Sequence, residues 1–160
     1  MNYIDRATYQ FMPKCCWRAG VATDLTAAVP FNIFDIQNGP ILVQDFFGVV
    51  TTVIGAGAAV PRVRFTPTGG AAIWVGLAAT TIATDAVNTC YLFTLSGLDY
   101  QLAPAANIGG IEMTESVWGG AHNIIVPGVV SIVNAVASTG IIDWYIVYRG
   151  ATPQSLVAPL

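Results

Sequence analysis

The sequence has little charge. Charged residues make up only 9% of its 160 residues and hydrophobic residues make up 54%, whereas about 25% of a typical soluble domain is charged. A chain of this length is expected to form one domain with a core of its own. Because so few charged groups remain to cover that domain, we expect other protein surfaces to cover much of its outside.

Basic clusters are absent from the sequence. Six basic residues stand against nine acidic ones, which gives a net charge of −3, and none of the six lies between Arg64 and Arg149. Proteins that bind nucleic acid neutralise phosphates with clustered Lys and Arg side chains. We therefore do not expect nucleic acid as a partner.

The spacing of a metal site or a catalytic motif is also missing. Cys15 and Cys16 are adjacent and Cys90 stands alone, so no zinc pattern is present, and all three are expected to remain reduced. The one histidine, His122, has no second histidine to complete a ligand set, and a solvent contact is expected for it. No nucleophile elbow, phosphate-binding loop or dinucleotide fingerprint occurs.

Only two glutamates are present, Glu112 and Glu115. Together with Asp99 they could serve as an acid–base pair or as part of a calcium site. A calcium loop, however, usually has a denser spacing of Asp and Asn, and solvated loop charges are the simpler interpretation. We predict that the protein is not an enzyme and binds no cofactor and no metal.

Long hydrophobic runs are missing as well, although the mean hydropathy is high at +0.62. Residues 46–60 and 71–83 fall short of the roughly 20 residues that a membrane-spanning helix needs. Pro127 and Gly128 interrupt the third apolar stretch, residues 124–137. The first residues lack the apolar stretch of a signal peptide. We expect no membrane partner and synthesis in a cytoplasm, and a small membrane protein stays an alternative.

What the sequence does contain is a series of short β-rich runs separated by Gly, Pro and Asn turns. Roughly seven to nine such strands, with turn signals about every ten residues, are typical of a sandwich, jelly roll or barrel. We predict an all-β fold, a single-domain β-sandwich or jelly roll over residues 21–160 with an extended N-terminal arm over residues 1–20. The expected strands are 31–36, 41–54, 62–66, 71–81, 91–95, 129–136 and 141–149, with a short edge strand near 111–113.

Alternation within these runs predicts which side chains face the core. Val63 and Phe65 alternate with arginines and are expected inside. The Gly-containing segment 137–140 predicts a hairpin between the last two strands. Gly48 is expected to bend or bulge its strand. In the last strand, one face is predicted to carry Ile142, Trp144, Ile146 and Tyr148, and the other face to carry Asp143, Tyr145, Val147 and Arg149.

The second face of that last strand is not wholly polar, which suggests that it is partly covered, as in a strand near the centre of an oligomer. Trp74 and Trp144 lie in apolar strands and are expected in the core. Trp118, beside two glycines, is expected to be exposed. It is a candidate for an interface anchor or a glycan platform.

Residues 1–20 differ from the rest of the chain. They contain Tyr3, Tyr9, Phe11 and Trp17, and neither a helical nor a strand period runs through them. One interpretation is an extended arm that reaches a neighbouring molecule and is anchored by its aromatic side chains. The other is an irregular first segment packed on its own domain.

The segment 126–148 adds a resemblance to a known family. It contains a β-rich run, then Thr139-Gly140, then a strand with Trp144 and, four residues later, Tyr148. This pattern resembles the closing strands of tailed-phage capsid decoration (cement) proteins. The resemblance implies a jelly-roll-like homotrimer on the outside of a phage head. Proteins of this family clamp neighbouring major capsid proteins, and some use a terminal arm to reach an adjacent trimer.

The leading hypothesis is therefore a structural virion protein that is made in the host cytoplasm. It would bind the outer surface of the capsid as a trimer, with the major capsid protein as its partner, and stabilise the shell. The alternative is a receptor- or glycan-binding module of a virion fibre, with residues 96–123 as the binding loops. The residues expected at interfaces are Tyr3, Tyr9, Phe11, Trp17, Trp118, Tyr145, Val147 and Arg149.

Overall fold

A computed structural model describes residues 12–26, 29–75, 81–93 and 123–160 of the chain. Across these ranges the chain forms ten β-strands and no helix, and the strands make two antiparallel sheets. The predicted all-β sandwich is thereby confirmed. The edge strand expected near residues 111–113 lies outside the described residues.

Each sheet contains five strands. Sheet A has, in spatial order, β1 (Lys14–Arg18), β9 (Ile141–Gly150), β3 (Ile41–Thr52) and β6 (Cys90–Phe93), and β7 (Asn123–Ile125) pairs with the first residues of β3. Sheet B has, in spatial order, β10 (Leu156–Pro159), β2 (Phe31–Gln37), β8 (Gly128–Asn134), β4 (Pro61–Pro67) and β5 (Ile73–Val75).

The core lies between the two sheets and is formed by every second residue of the long strands. The predicted inner face of β9 is confirmed, because all four of its expected core side chains are buried, and Val63 and Phe65 of β4 are buried as well. Trp144 is fully buried at the centre. Its ring stacks on Phe46 with 5.9 Å between centroids, and Phe46 meets Phe34 of the other sheet edge-on at 6.2 Å. Burial of one such aromatic side chain contributes on the order of 2–3 kcal/mol.

Gly48 was expected to bend or bulge β3, and the bulge is not found at that residue. The register of β3 against β9 is continuous at Gly48 and shifts instead between Val43 and Asp45 and between Val50 and Thr52. Gly48 lies directly opposite Trp144, in the middle of the regular ladder. A glycine is needed there because the side chains of Ile142 and Trp144 occupy the space that a side chain would fill.

The predicted hairpin between the last two long strands is also wrong. β8 pairs with β2 and β4 in sheet B, whereas β9 pairs with β1 and β3 in sheet A. The connecting segment therefore crosses from one sheet to the other. Backbone hydrogen bonds hold it in place, since Gly55 N donates to Thr139 O at 2.9 Å and Ser138 N donates to Leu25 O at 3.0 Å. A glycine-containing loop alone does not distinguish a hairpin from such a crossing.

The segment 14–18, for which no strand period was expected, forms the edge strand β1 of sheet A and pairs with β9 of its own chain. Arg18 fixes the end of this strand. Its guanidinium makes an ion pair with Asp24, and its Nε donates to the backbone oxygen of Leu160 at 2.8 Å. Residues 1–11 of the predicted arm lie outside the described residues, so whether an arm reaches a neighbouring molecule stays a prediction.

Candidate functional site

An aromatic row crosses the outer face of sheet A. The strand register places Trp17 of β1 opposite Tyr145 of β9, and Tyr145 opposite Phe47 of β3. Side chains of directly opposite residues share one face of a sheet. Because Trp144 and Phe46 point into the core, their chain neighbours Tyr145 and Phe47 must point outward.

The members of this row are held in fixed positions. The rings of Phe47 and Tyr145 stack with 4.8 Å between their centroids and only 6° between their planes. The indole Nε1 of Trp17 donates to Asp143 Oδ2 at 3.2 Å. The other carboxylate oxygen of Asp143 accepts from the backbone N of Gly20 at 2.8 Å. Even so, 52% of Trp17 is exposed, so a large apolar surface is held rigid and open to solvent.

The surroundings of the row are mostly apolar. The strands of sheet A place six further apolar side chains and three charged side chains on this face. We call the whole set the aromatic face. Its apolar members besides the row are Cys15, Leu42, Val49, Cys90, Ile124 and Val147, and its charged members are Asp45, Asp143 and Arg149. Every one of them is at least partly exposed, and a contiguous exposed apolar area of this kind typically marks an interaction site.

The phenol of Tyr145 and the thiols of Cys16 and Cys90, all in sheet A, have raised pKa values and stay protonated at neutral pH. Burial raises the pKa of the Tyr145 phenol, and the carboxylate of Asp143 and the thiol of Cys15 add to the effect. Burial likewise raises the pKa values of the Cys16 and Cys90 thiols. A protonated thiol is a poor nucleophile and a poor metal ligand, and all three cysteines are free. Contact with an apolar surface suits these groups better than catalysis does.

The outer face of sheet B has a different chemistry. Arg62 and Arg64 alternate with the buried Val63 and Phe65 along β4, so both arginines point outward. Arg64 lies opposite Trp74 of β5, and the guanidinium carbon of Arg62 lies 4.3 Å from the centroid of the Trp74 ring. The expectation that Trp74 packs in the core is wrong, since 49% of it is exposed. β5 has only three residues, and its alternation places Trp74 on the side away from the core.

Four of the eight predicted interface residues lie together on the aromatic face, namely Trp17, Tyr145, Val147 and Arg149. Whether they contact another molecule stays a prediction. The other four, Tyr3, Tyr9, Phe11 and Trp118, lie outside the described residues.

Sequence reasoning missed Phe47 and Trp74. The pair Phe46-Phe47 carried a usable signal, because two adjacent aromatic residues in a strand cannot both face the core. Trp74 carried no comparable signal, since the sequence does not reveal that β5 is a three-residue edge strand.

No chemistry-bearing cluster is found in the described ranges. They contain no group of three or more His, Cys, Asp and Glu side chains that could hold a metal ion. The buried pair of Tyr91 and Asp85, joined by a hydrogen bond of 2.6 Å, belongs to the core. His122, Glu112 and Glu115 lie outside the described residues. Nor does the described part of the chain include a helix that is long and apolar enough to cross a membrane.

Comparison with protein-family models, with curated proteins and with solved structures gives no match to this chain.

Proposed function

We propose that this chain is a structural assembly protein that associates with copies of itself and coats a larger protein shell. In its specific form, the proposal is a trimeric decoration protein that binds the outside of a phage capsid and stabilises it. The observation that supports assembly is the aromatic face, with Trp17, Tyr145 and Phe47 in one row across three strands.

Rigid aromatic side chains at the centre of a flat surface favour association between proteins. Trp and Tyr are enriched among the residues that dominate binding energy at interfaces. The stacking of Phe47 on Tyr145 and the hydrogen bond from Trp17 to Asp143 fix these rings before any partner arrives, so little side-chain entropy remains to be lost on binding. The low charge of the whole chain, 9%, agrees with a surface that is largely covered in the assembled state.

The capsid part of the proposal rests on the resemblance of residues 126–148 to decoration proteins. A protein that binds only the assembled shell stabilises that shell by mass action, by about 2.7 kcal/mol per site when its free concentration is 100 times the dissociation constant. Stabilisation of this kind needs no catalytic group and no cofactor. It needs a rigid scaffold with separate surfaces for copies and for the shell, and two sheets with different outer faces can provide them.

Co-sedimentation tests the capsid proposal. Isolated heads of the phage that encodes the chain, stripped of their outer proteins, are mixed with the purified protein and pelleted. The proposal expects saturable binding in multiples of three copies and a higher melting temperature of the decorated heads. A protein that remains in the supernatant at all concentrations, and leaves the melting of the heads unchanged, would contradict it.

A further inference from the structure

We propose that Arg62, Arg64 and Trp74, on the outer face of sheet B, form a docking site for carboxylate groups on an acidic protein surface. We call these three residues the arginine site. The inference rests on the proposed function, because it assigns the face that a coating protein turns toward its larger partner.

The two arginines are placed as a pair. They are separated by one residue on the same face of β4, so their Cα atoms lie about 7 Å apart. Arg64 is flanked by Ser131 of β8 on one side and by Trp74 of β5 on the other. The guanidinium of Arg62 lies over the Trp74 ring, 4.3 Å from its centroid, and this cation–π contact restricts its position.

Neither arginine pairs with a carboxylate among the residues that the structure describes. The described residues contain a single ion pair, between Arg18 and Asp24. The Nε atoms of Arg62 and Arg64, like that of Arg149 on the other sheet, are withdrawn from solvent and have no acceptor among the residues that the structure describes; only Arg62 and Arg64 lie side by side on one strand. The carboxylate of Asp35, on the same face, lies opposite Val129 and accepts from Gln37 at 2.6 Å. Two neighbouring guanidinium groups with no ion pair inside the described ranges favour the approach of an external carboxylate, which they can bind in a forked geometry.

The surroundings favour a protein as the source of the carboxylates. The arginine site lies on the outer face of a sheet beside Val129, Val133 and Thr66, which are partly exposed, whereas small-molecule sites are usually concave. Arg and Trp are two of the three residue types most enriched among interface hot spots. A net charge of −3 with no basic cluster elsewhere opposes the broad phosphate contacts that nucleic acid requires. The two outer faces therefore differ in role, with the aromatic face meeting copies of the chain and the arginine site meeting an acidic partner.

Titration with a hexaglutamate peptide tests the arginine site. Binding to the full chain is followed by NMR through the Nε–H signals of the arginines and the indole signal of Trp74. We expect saturable binding that perturbs these signals and weakens as salt is added. The double variant Arg62→Gln/Arg64→Gln is expected to lose at least tenfold in affinity. The control Arg149→Gln, which removes one positive charge from the other sheet, is expected to change affinity less than twofold.

Three results would overturn this assignment. The first is a wild-type chain that does not bind the peptide, and the second is an equal loss of affinity in the Arg149→Gln control. The third is tighter binding of an oligoglucuronate that perturbs the same NMR signals, which would make the site a glycan site. Measurement of molar mass on the same samples separates this inference from the proposed function. Peptide binding by a monomer supports the arginine site and contradicts self-assembly. An oligomer that does not bind the peptide supports self-assembly and contradicts the arginine site.

Discussion

Gly48 lies directly opposite Trp144 in the ladder of β3 and β9, and a Cβ atom on Gly48 would lie 2.9 Å from Cζ3 of the indole ring. The largest buried side chain of the core thus depends on a missing side chain in the neighbouring strand. Gly48 and Trp144 share the inner face with Phe46, whose ring stacks on the indole. The outer row follows from it, since Phe47 and Tyr145 are the chain neighbours of these residues.

Substitution of Gly48 by Ala is expected to destabilise the fold by about 1–3 kcal/mol, because the added methyl group overlaps the indole ring and the side chain of Ile142. Chemical denaturation measures the free energy of unfolding. The variant Trp144→Phe, which removes part of the ring, provides the matched control in a double-mutant cycle. The loss of unfolding free energy in the double variant is expected to be about 1 kcal/mol smaller than the sum of the losses in the two single variants. Strict additivity would show that the two residues do not compete for the same space.

Asp143 is expected to hold β1 on sheet A, because its two oxygens accept from Trp17 Nε1 and from Gly20 N. Replacement by Ala removes both acceptors and should cost about 1–2 kcal/mol of local stability. Hydrogen exchange should report faster exchange of the backbone amides in β1, with little change in β4. Asp45→Ala is the control, since that carboxylate lies on the same face and accepts no hydrogen bond from the described residues. Equal loss of protection in both variants would contradict the assigned role.

The buried Tyr91 should make the fold sensitive to alkali. Burial, together with the hydrogen bond to Asp85 and the negative charge of that carboxylate, raises the pKa of Tyr91 far above its ordinary value of 10.0. A raised folded-state pKa means that the stabilising contribution is complete below pH 10. It is lost as the pH rises further, because the unfolded chain releases this proton while the folded chain retains it.

Above pH 10, Tyr91 should therefore lower the free energy of unfolding by up to about 1.4 kcal/mol per pH unit. Denaturation curves collected between pH 8 and pH 11 measure the slope. Tyr91→Phe should be less stable at neutral pH, because Asp85 loses its donor, but its stability should fall less steeply at high pH. The same slope in both proteins would rule out Tyr91 as the source.

Cys15 provides a chemical probe of the aromatic face. Its side chain is exposed and lies opposite Val147, so a partner on this face would cover it. In the background Cys16→Ser/Cys90→Ser, we expect alkylation of Cys15 to slow several-fold as the protein concentration is raised through the range of self-association. A thiol introduced by Thr68→Cys, in the turn between β4 and β5, should react at a constant rate. Concentration-independent alkylation of Cys15 would show that the face remains open.

The sequence predicts the strands of this fold better than their pairing. Alternation in β4 and β9 correctly assigns inner and outer side chains, because a half-buried strand has a strict period of two. Local patterns do not predict the sheet to which β8 and β9 each belong. Their glycine-containing connection is compatible with a hairpin, and the crossing into the other sheet depends on long-range contacts, among them the hydrogen bonds from Gly55 N to Thr139 O and from Ser138 N to Leu25 O.

The candidate surfaces are predictable to a similar extent. Tyr145, Val147 and Arg149 follow from alternation in a single strand, and Trp17 joins them only because β1 pairs with β9. The arginine site depends on the pairing of β4 with the short edge strand β5. Local sequence patterns cannot specify such a pairing, because a three-residue strand carries too little periodicity to reveal which way Trp74 points.

Molar mass measured by light scattering across a range of concentrations tests the central claim, that copies of this chain meet through the aromatic face. The account predicts that the wild-type chain is a trimer. Tyr145→Lys, which places a charge at the centre of the row, should shift it to monomer with an unchanged β-type circular dichroism spectrum, and Trp74→Ala should remain trimeric. A wild-type chain that is monomeric at every concentration, or a Tyr145→Lys variant with wild-type mass, would contradict the account.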